Sequence, residues 1–283
     1  MSIRDSLRIE SPGQVAFAAA MIFLGVMGLV TGKFTQIWQP VPKWVPARTA
    51  LAYLCALISL GCGVGLLWRR SAPAASRVLF AALAVWLLAM RVPNLFYEKP
   101  LVLVAWTFGA TAVMLAGAWL LFSQFNQEQQ RFLTDDRGRG IARVLYGLSL
   151  IPFGLAHFMY LSATTVLIPN WLPWHTGLAY FTGGAFIAAG LAVTLGVFAP
   201  LAAALSTLQM AMFSVIVWIP RALAGNLNDF QRGEVISTFV LTAGAWVVAD
   251  SYRGADGVLT ASQRLYSPTL APSISWARSR LRI

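Results

Sequence analysis

Long apolar stretches separated by short polar segments dominate the pattern of this chain. A helix needs roughly 20 mainly apolar residues to cross a bilayer. We predict eight such helices, at about residues 14–32, 49–68, 76–92, 101–122, 141–160, 176–197, 199–219 and 234–250. No small-residue cleavage site follows the first stretch, so we interpret it as a retained helix rather than a signal peptide. The pattern predicts an all-α polytopic membrane protein.

Composition supports this class. Hydrophobic residues make up 58% of the chain and charged residues 11%, whereas an ordinary soluble domain is about 25% charged. The formal net charge of +11 could indicate nucleic-acid binding, but the basic residues lie in short clusters between apolar stretches, as in membrane proteins. We therefore expect a lipid bilayer, and no nucleic acid, as the partner of this surface.

The distribution of lysine and arginine predicts the orientation. With eight spans both termini lie on one side, and that side carries 14 of the 21 Lys and Arg residues, against 7 on the other. Basic loops stay in the cytoplasm. We therefore predict an integral plasma (inner) membrane protein with both termini cytoplasmic.

An internal repeat organises the chain. A shift of 127 residues places Trp44-Val45-Pro46 on Trp171-Leu172-Pro173, and Ala116–Trp119 on Ala243–Trp246. Between residues 42 and 122 the match needs no gap, and 19 of 81 positions are identical. Shared composition alone would give about a third as many, so we interpret the match as a duplication.

The duplication predicts two four-helix units and a tail. We set the first unit at residues 1–132, the second at 133–250 and a basic cytoplasmic tail at 251–283. An even number of helices in each unit predicts two parallel four-helix bundles. In the tail, basic and apolar residues alternate from Pro272 to Ile283. Two interpretations stay open, a tail lying on anionic lipid and a solvated tail.

Few polar residues occur inside or next to the spans, and several recur at related positions. A shift of 124 aligns Lys33 with His157 at the ends of the first helices, and a shift of 127 aligns Arg48 with His175. Arg91 and Arg221 flank the prolines that we expect to end the third helices. All six are predicted to lie near the outer interface.

Two interpretations of these residues remain open. Lysine, arginine and aromatic residues gather at membrane interfaces as anchors, and snorkelling accounts for the cations. Alternatively they bind a ligand, because histidine is a poor lipid anchor and a good hydrogen-bonding or proton-carrying group. The ligand hypothesis predicts two outward-facing pockets. One is lined by His157, His175, Tyr180, Arg221 and Trp171, and its divergent counterpart by Lys33, Arg48, Tyr53 and Arg91.

Other chemistries lack support. Two histidines without nearby acids do not form a metal-ligand set, so no metal site is predicted. Cys55 and Cys62 lie seven residues apart in one predicted helix, about 10 Å along its axis, which is too far for a disulfide. We expect both to be buried thiols. No nucleotide-binding or hydrolase motif occurs, and whether the protein is an enzyme is left open.

The second unit resembles the DoxX-like family of small four-helix membrane proteins. The resemblance rests on Gly154–Phe158, Leu167–Pro173, Tyr180 and Trp218–Pro220. The 127-residue shift extends it to the first unit, so it covers about residues 15–250. It implies compact four-helix bundles, and named members of the family are associated with quinone-linked sulfur oxidation and membrane redox complexes.

One recurring family feature is absent. Some relatives carry a glutamate in the second helix, where this chain has Ser59 and Phe186. We expect a DoxX-like inner-membrane protein that binds a small apolar or amphipathic molecule, with quinone as the candidate cofactor. Its expected role is as an accessory or subunit of a membrane redox process, with a membrane redox partner. The alternative is a non-catalytic lipid or small-molecule transporter, or a membrane assembly factor.

Overall fold

The computed structural model describes residues 9–127, 131–225 and 227–253. Within these ranges the chain is helical and has no strand. Eight helices are long and apolar enough to cross a membrane: α1 Pro12–Thr31, α2 Arg48–Leu66, α3 Ala72–Tyr97, α4 Leu101–Phe125, α5 Asp136–Met159, α6 His175–Leu195, α7 Ala199–Leu223 and α8 Asp229–Asp250. The all-α membrane class and the eight spans are confirmed. The basic tail lies outside the described residues from position 254 onwards.

Local signals set several helix ends. Ser11 caps α1 by accepting a hydrogen bond from the Gln14 backbone N–H, and Gly32 ends the helix in the left-handed conformation (φ 62°). Asn228 and Gln231 form a capping box at the start of α8. Because such side chains satisfy backbone groups left unpaired at a helix end, they fix where the helix begins.

Short helices occur in three connections, at Gln36–Trp38, Arg131–Thr134 and Leu161–Leu167. The connections at residues 32–47 and 160–174 are the longest between spans, and connectivity places both at the same end of the helices. We call this end the long-loop side. The opposite end, where α1 begins and α8 ends, is the termini side.

The prolines of the third and seventh spans do not end those helices, contrary to expectation. A π-helical turn at Leu87–Arg91 precedes Pro93, and another at Phe213–Trp218 precedes Pro220. Proline lacks an N–H group and crowds the preceding turn. The wider π turn accommodates it, and the spans continue to Tyr97 and Leu223.

The eight helices form one closed ring. Each helix packs against the next along the chain, and α8 returns to pack against α1. The helices α4 and α8 also pack across the ring. There a Cβ atom built on Gly117 would lie 3.4 Å from Cα of Gly244, and the two residues are equivalent under the 127-residue shift. Contact between equivalent positions places a pseudo-two-fold axis at this crossing.

Burial repeats between the two units, α1–α4 and α5–α8. The seven residues that are buried in α8 are Val240, Leu241, Ala243, Gly244, Ala245, Val247 and Val248. Subtracting 127 gives seven residues of α4 that are also buried: Val113, Met114, Ala116, Gly117, Ala118, Leu120 and Leu121. The repeat seen in the sequence therefore also holds for the buried faces of α4 and α8.

The first helices of the units are related by a different offset. Glycine allows α1 to approach α2 at Gly25, whose built Cβ would lie 2.5 Å from the Leu60 backbone nitrogen. In the second unit Gly154 makes the same approach to Ile187, at 3.1 Å from its backbone nitrogen. Ile187 is equivalent to Leu60 (187 − 60 = 127), so Gly154 is equivalent to Gly25 (154 − 25 = 129).

This offset changes the partner of the histidine. Subtracting 129 from 157 gives 28, so His157 occupies the place of Gly28 and not that of Lys33. The contacts agree, because Gly28 packs on Ala56, and the His157 Cβ packs on Gly183, which is the equivalent of Ala56. The 124-residue alignment of Lys33 with His157 therefore fails in three dimensions.

Candidate functional site

The first unit is closed on the long-loop side by its own chain. Phe34, Ile37 and Trp38 follow α1 and are buried. The Trp38 indole N–H donates to the hydroxyl of Ser59 at 3.0 Å, and its ring meets the Trp86 ring edge-on at 5.1 Å. The loop thus fills the space between α2 and α3 that a ligand would otherwise occupy.

Arg91 holds this loop in place. Its side chain is 1% exposed. The guanidinium donates to the Thr111 hydroxyl at 3.0 Å and to the Pro40 carbonyl at 2.6 Å, and it also donates to the Gln39 carbonyl. Arg91 therefore does not extend to the membrane interface. Its guanidinium is bonded to Thr111 and to carbonyls of the loop, so it is not available to a ligand.

The other residues predicted for the first pocket lie outside this core. Lys33 is exposed. Arg48 donates to the Val41 carbonyl at 2.9 Å, and its guanidinium lies over the Phe34 ring at 5.8 Å. Tyr53 is 41% exposed. A ligand role shared by these three residues and Arg91 stays a prediction.

The second unit fills the equivalent region with aromatic rings. His157 on α5 stacks against Phe213 at 5.9 Å between centroids and lies 5.7 Å from Phe186. Phe186 also meets Phe153 at 6.1 Å. Phe186 is the repeat equivalent of Ser59, and Phe213 that of Trp86. We call these four rings, His157, Phe153, Phe186 and Phe213, the aromatic cluster.

The hydrogen bond of His157 defines what its ring can do. Nδ1 lies 2.8 Å from the Phe153 carbonyl oxygen. Because a carbonyl oxygen only accepts, Nδ1 carries the hydrogen, and in the neutral ring Nε2 presents a lone pair. Within the described residues Nε2 has no hydrogen-bond partner. The cluster therefore contains one unused acceptor in an otherwise apolar wall.

The remaining predicted residues of the second pocket have separate surroundings. His175 Nε2 lies 3.2 Å from the Pro169 carbonyl, and Arg221 donates to the Val166 carbonyl. Tyr180 is half exposed and stacks on Phe158 at 5.7 Å. No hydrogen bond or ring contact within the described residues joins His157 to His175, Tyr180 or Arg221, and a shared pocket for the four side chains stays a prediction. Trp171 is 72% exposed, as expected of an interface anchor.

A broad depression lies at the start of α6 on the long-loop side. It encloses about 700 Å³ and is lined by Asn170, Leu172, Trp174, His175, Thr176 and Gly177. It is wide open, and Trp174 on its rim is 85% exposed. This shape suits transient contact with lipid headgroups better than retention of a small molecule, so we place the candidate site at His157.

Two polar residues in the spans of the second unit were not predicted from the sequence. Gln209 on α7 donates its amide N–H to the Thr182 carbonyl on α6 at 3.0 Å. Glu234 lies in the second turn of α8, is half-buried, and has neither a hydrogen bond nor an ion pair through its carboxylate within the described residues. Their place inside membrane spans was a usable signal, because polar groups there are costly.

Metal and dithiol chemistry find no site in the described part of the chain. No group of three His, Cys, Asp or Glu side chains there could hold a metal ion. Cys55 and Cys62 are both free and buried, as predicted.

Comparison with known proteins gives no assignment. No protein-family model, no curated protein and no solved structure matches this chain. The structure establishes an integral membrane architecture of eight apolar helices. The function has to be inferred from the side-chain contacts within the two units.

Proposed function

We propose that this protein binds a small amphipathic molecule in its second unit. The polar head of the ligand donates a hydrogen bond to Nε2 of His157, and its apolar part lies along the lipid-facing helices. The observation that carries the proposal is the unpartnered Nε2 of His157 in a wall of aromatic rings. This nitrogen is not among the enclosed unpartnered atoms of the described residues, so it is open to a ligand that supplies the missing hydrogen-bond donor.

The contrast with the first unit supports this assignment. There, Gly28 replaces His157, and the indole of Trp38 is already bonded to Ser59. The Arg91 guanidinium is bonded to Thr111 and to carbonyls of the loop, although the buried indole N–H of Trp86 has no partner among the described residues. One unit is thus completed by its own loop, whereas the other has the free Nε2 of His157 in this region.

The resemblance to DoxX-like proteins suggests the class of ligand. A quinone or quinol combines an aromatic head, polar oxygens and an apolar tail, and it suits a wall of aromatic rings. On this proposal the protein is an accessory or subunit of a membrane redox process in the inner membrane, with both termini cytoplasmic.

Mass spectrometry of co-purifying small molecules tests the proposal. The wild-type protein is purified in mild detergent beside His157→Phe and the matched variant His175→Phe. We expect one class of small molecule to be retained by wild type and His175→Phe and reduced at least about tenfold in His157→Phe, since the acceptor of the ligand's hydrogen bond is lost. Equal retention by all three proteins, with matching helicity and elution, contradicts the proposal.

A further inference from the structure

Trp218 carries a hydrogen-bond donor that the second unit leaves without a partner. It ends the π-helical turn that Phe213 begins, and only 5% of the residue is exposed. Within the described residues its indole N–H makes no hydrogen bond, and the nitrogen is not one of their enclosed unpartnered atoms. The N–H is therefore open to a ligand, and because an indole nitrogen only donates, that ligand has to supply an acceptor.

The repeat shows which region Trp218 borders. In the first unit we call residues 35–40, which follow α1, the closing segment. Arg91 donates to the carbonyl of its last residue at 2.6 Å, and the Trp86 ring meets its tryptophan ring edge-on at 5.1 Å. Trp218 is the equivalent of Arg91 (218 − 91 = 127), and Phe213 is that of Trp86 (213 − 86 = 127). Trp218 and Phe213 therefore border the region of the second unit that matches the closing segment.

His157 borders the same region. A Cβ atom built on Gly28 would lie 3.4 Å from the side chain of Thr35, so position 28 faces the closing segment. His157 occupies the place of Gly28 (157 − 28 = 129), and its ring stacks on Phe213 at 5.9 Å. Phe213 and Trp218 are the first and last residues of one π turn, so their side chains lie one turn apart on one face. An acceptor on α5 and a donor on α7 thus face one region.

The second unit does not cover this region as the first unit does. The short helix Leu161–Leu167 in its long connection has no buried residue, whereas Ile37 and Trp38 of the closing segment are buried. Within the described residues, Trp218 consequently has no counterpart of the loop carbonyls that accept from Arg91. The donor of Trp218 and the acceptor of His157 are left free at the same place.

We infer that Trp218 is a second ligand contact and that the head of the ligand both accepts and donates, as a hydroxyl group does. This inference rests on the proposed function. A hydroxyl has one O–H donor and two acceptor lone pairs. Its oxygen accepts from the Trp218 indole N–H, and its hydrogen is donated to Nε2 of His157. A carbonyl or ether oxygen satisfies Trp218 alone, and an ammonium group satisfies His157 alone.

Two probes that differ in the head separate the two contacts. We would titrate 4-nonylphenol and 4-nonylanisole into the protein in lipid nanodiscs by calorimetry, with empty nanodiscs as the reference. Wild type is expected to bind the phenol about fivefold more tightly, since the ether cannot donate to His157. His157→Phe should weaken the phenol alone, to the level of the ether. Trp218→Phe should weaken both probes about fivefold and leave their ratio unchanged, because both heads lose the same donor.

A matched variant of the first unit controls for the loss of an indole. Trp86→Phe also removes a buried indole N–H that has no partner in the described part of the chain, and it should leave both affinities unchanged. Indole ¹⁵N–¹H spectra of the wild-type protein give a second measurement. The Trp218 resonance, assigned with Trp218→Phe or, if that variant does not fold, with Trp218→Leu, should move downfield when either probe saturates the protein.

The outcomes separate this inference from the proposed function. Unchanged affinities in folded Trp218→Phe, or a Trp218 resonance that does not move, overturn the role of Trp218 and leave the His157 site in place. Equal binding of phenol and ether by wild type overturns the hydroxyl as the preferred head. Saturable binding of neither probe, together with no co-purifying molecule, overturns the proposed function itself.

Discussion

The two units share one architecture and complete it differently. Both have a glycine crossing between their first two helices and a π turn before the proline of the third. On the long-loop side, however, the first unit is completed by the buried segment around Trp38 and by Arg91. The second unit has the aromatic cluster and an unpartnered histidine nitrogen.

In a duplicated protein, the polar side chains of one copy can stabilise the fold while those of the other copy are open to a ligand. In the first unit Arg91 bonds to the chain's own carbonyls and Trp38 to Ser59, so these groups stabilise the fold. In the second unit Nε2 of His157 has no partner within the described residues and is open to a ligand. After duplication one copy can retain a binding role while the other becomes a structural counterpart, and substitutions should affect the two units in different ways.

The largest effect is expected from removing the loop residue that fills the first unit. Trp38→Ala should lower the free energy of unfolding by about 3–5 kcal/mol, because a large fully buried ring is replaced by a cavity. Trp44→Ala is the matched control, since Trp44 is 76% exposed, and it should change stability by less than about 0.5 kcal/mol. Equilibrium unfolding in mixed micelles measures both. Equal losses would show that Trp38 does not close the unit.

The next effect concerns the buried cation. Arg91→Met should cost about 3 kcal/mol, because the carbonyls of Pro40 and Gln39 lose their donor in a buried place. The control Arg232→Met removes a surface cation whose only ion pair, within the described residues, is an exposed one with Asp229 at 3.8 Å. Such pairs contribute little. If both variants unfold at the same denaturant concentration, Arg91 has no stabilising role.

The glycine crossings should respond alike in the two units. Gly25→Ala and Gly154→Ala each place a Cβ within 2.4–2.5 Å of a neighbouring backbone atom, and we expect each to cost about 1–3 kcal/mol. Gly61→Ala and Gly184→Ala are the controls, since nothing lies within 4 Å of a Cβ there. Thermal unfolding of the four variants would sharpen the comparison. A cost confined to one unit would break the equivalence of Gly25 and Gly154.

The smallest effect is expected at Ser59. Ser59→Ala removes the acceptor of the Trp38 indole N–H and should cost about 1 kcal/mol. The exposed hydroxyl of Ser162 serves as control, and Ser162→Ala should be neutral. A fluorescence-detected melting curve distinguishes the two. No loss at Ser59 would mean that the Trp38 ring is held by packing alone.

Most of the fold could be predicted because it depends on local properties of the chain. Apolar length determines a membrane span, and the gapless repeat from position 42 to 122 fixes which helices correspond. The longer extent of α3 could not be predicted in the same way, because the π turn at Leu87–Arg91 that accommodates Pro93 involves the backbone of the whole segment.

The candidate site was predicted less well, for reasons of packing. His157 was identified because histidine is a poor lipid anchor and a good hydrogen-bonding group, but its neighbours Phe186 and Phe213 look like ordinary apolar residues in the sequence. Arg91 was expected at the interface, but its acceptor Pro40 lies 51 residues earlier, and no sequence pattern reveals such a contact. The offset of 129 for the first helices is set by the glycine crossings and is invisible to the 127-residue match.

Photo-crosslinking tests the central claim, that the second unit binds a ligand and the first does not. A 4-alkylphenol with a diazirine in its chain is irradiated with the protein in nanodiscs, and the labelled peptides are mapped by mass spectrometry. We predict that labelling which excess 4-nonylphenol suppresses falls on α5–α8 and is lost in His157→Phe. Suppressible labelling that is equal on α1–α4, or that persists in His157→Phe, would contradict the account.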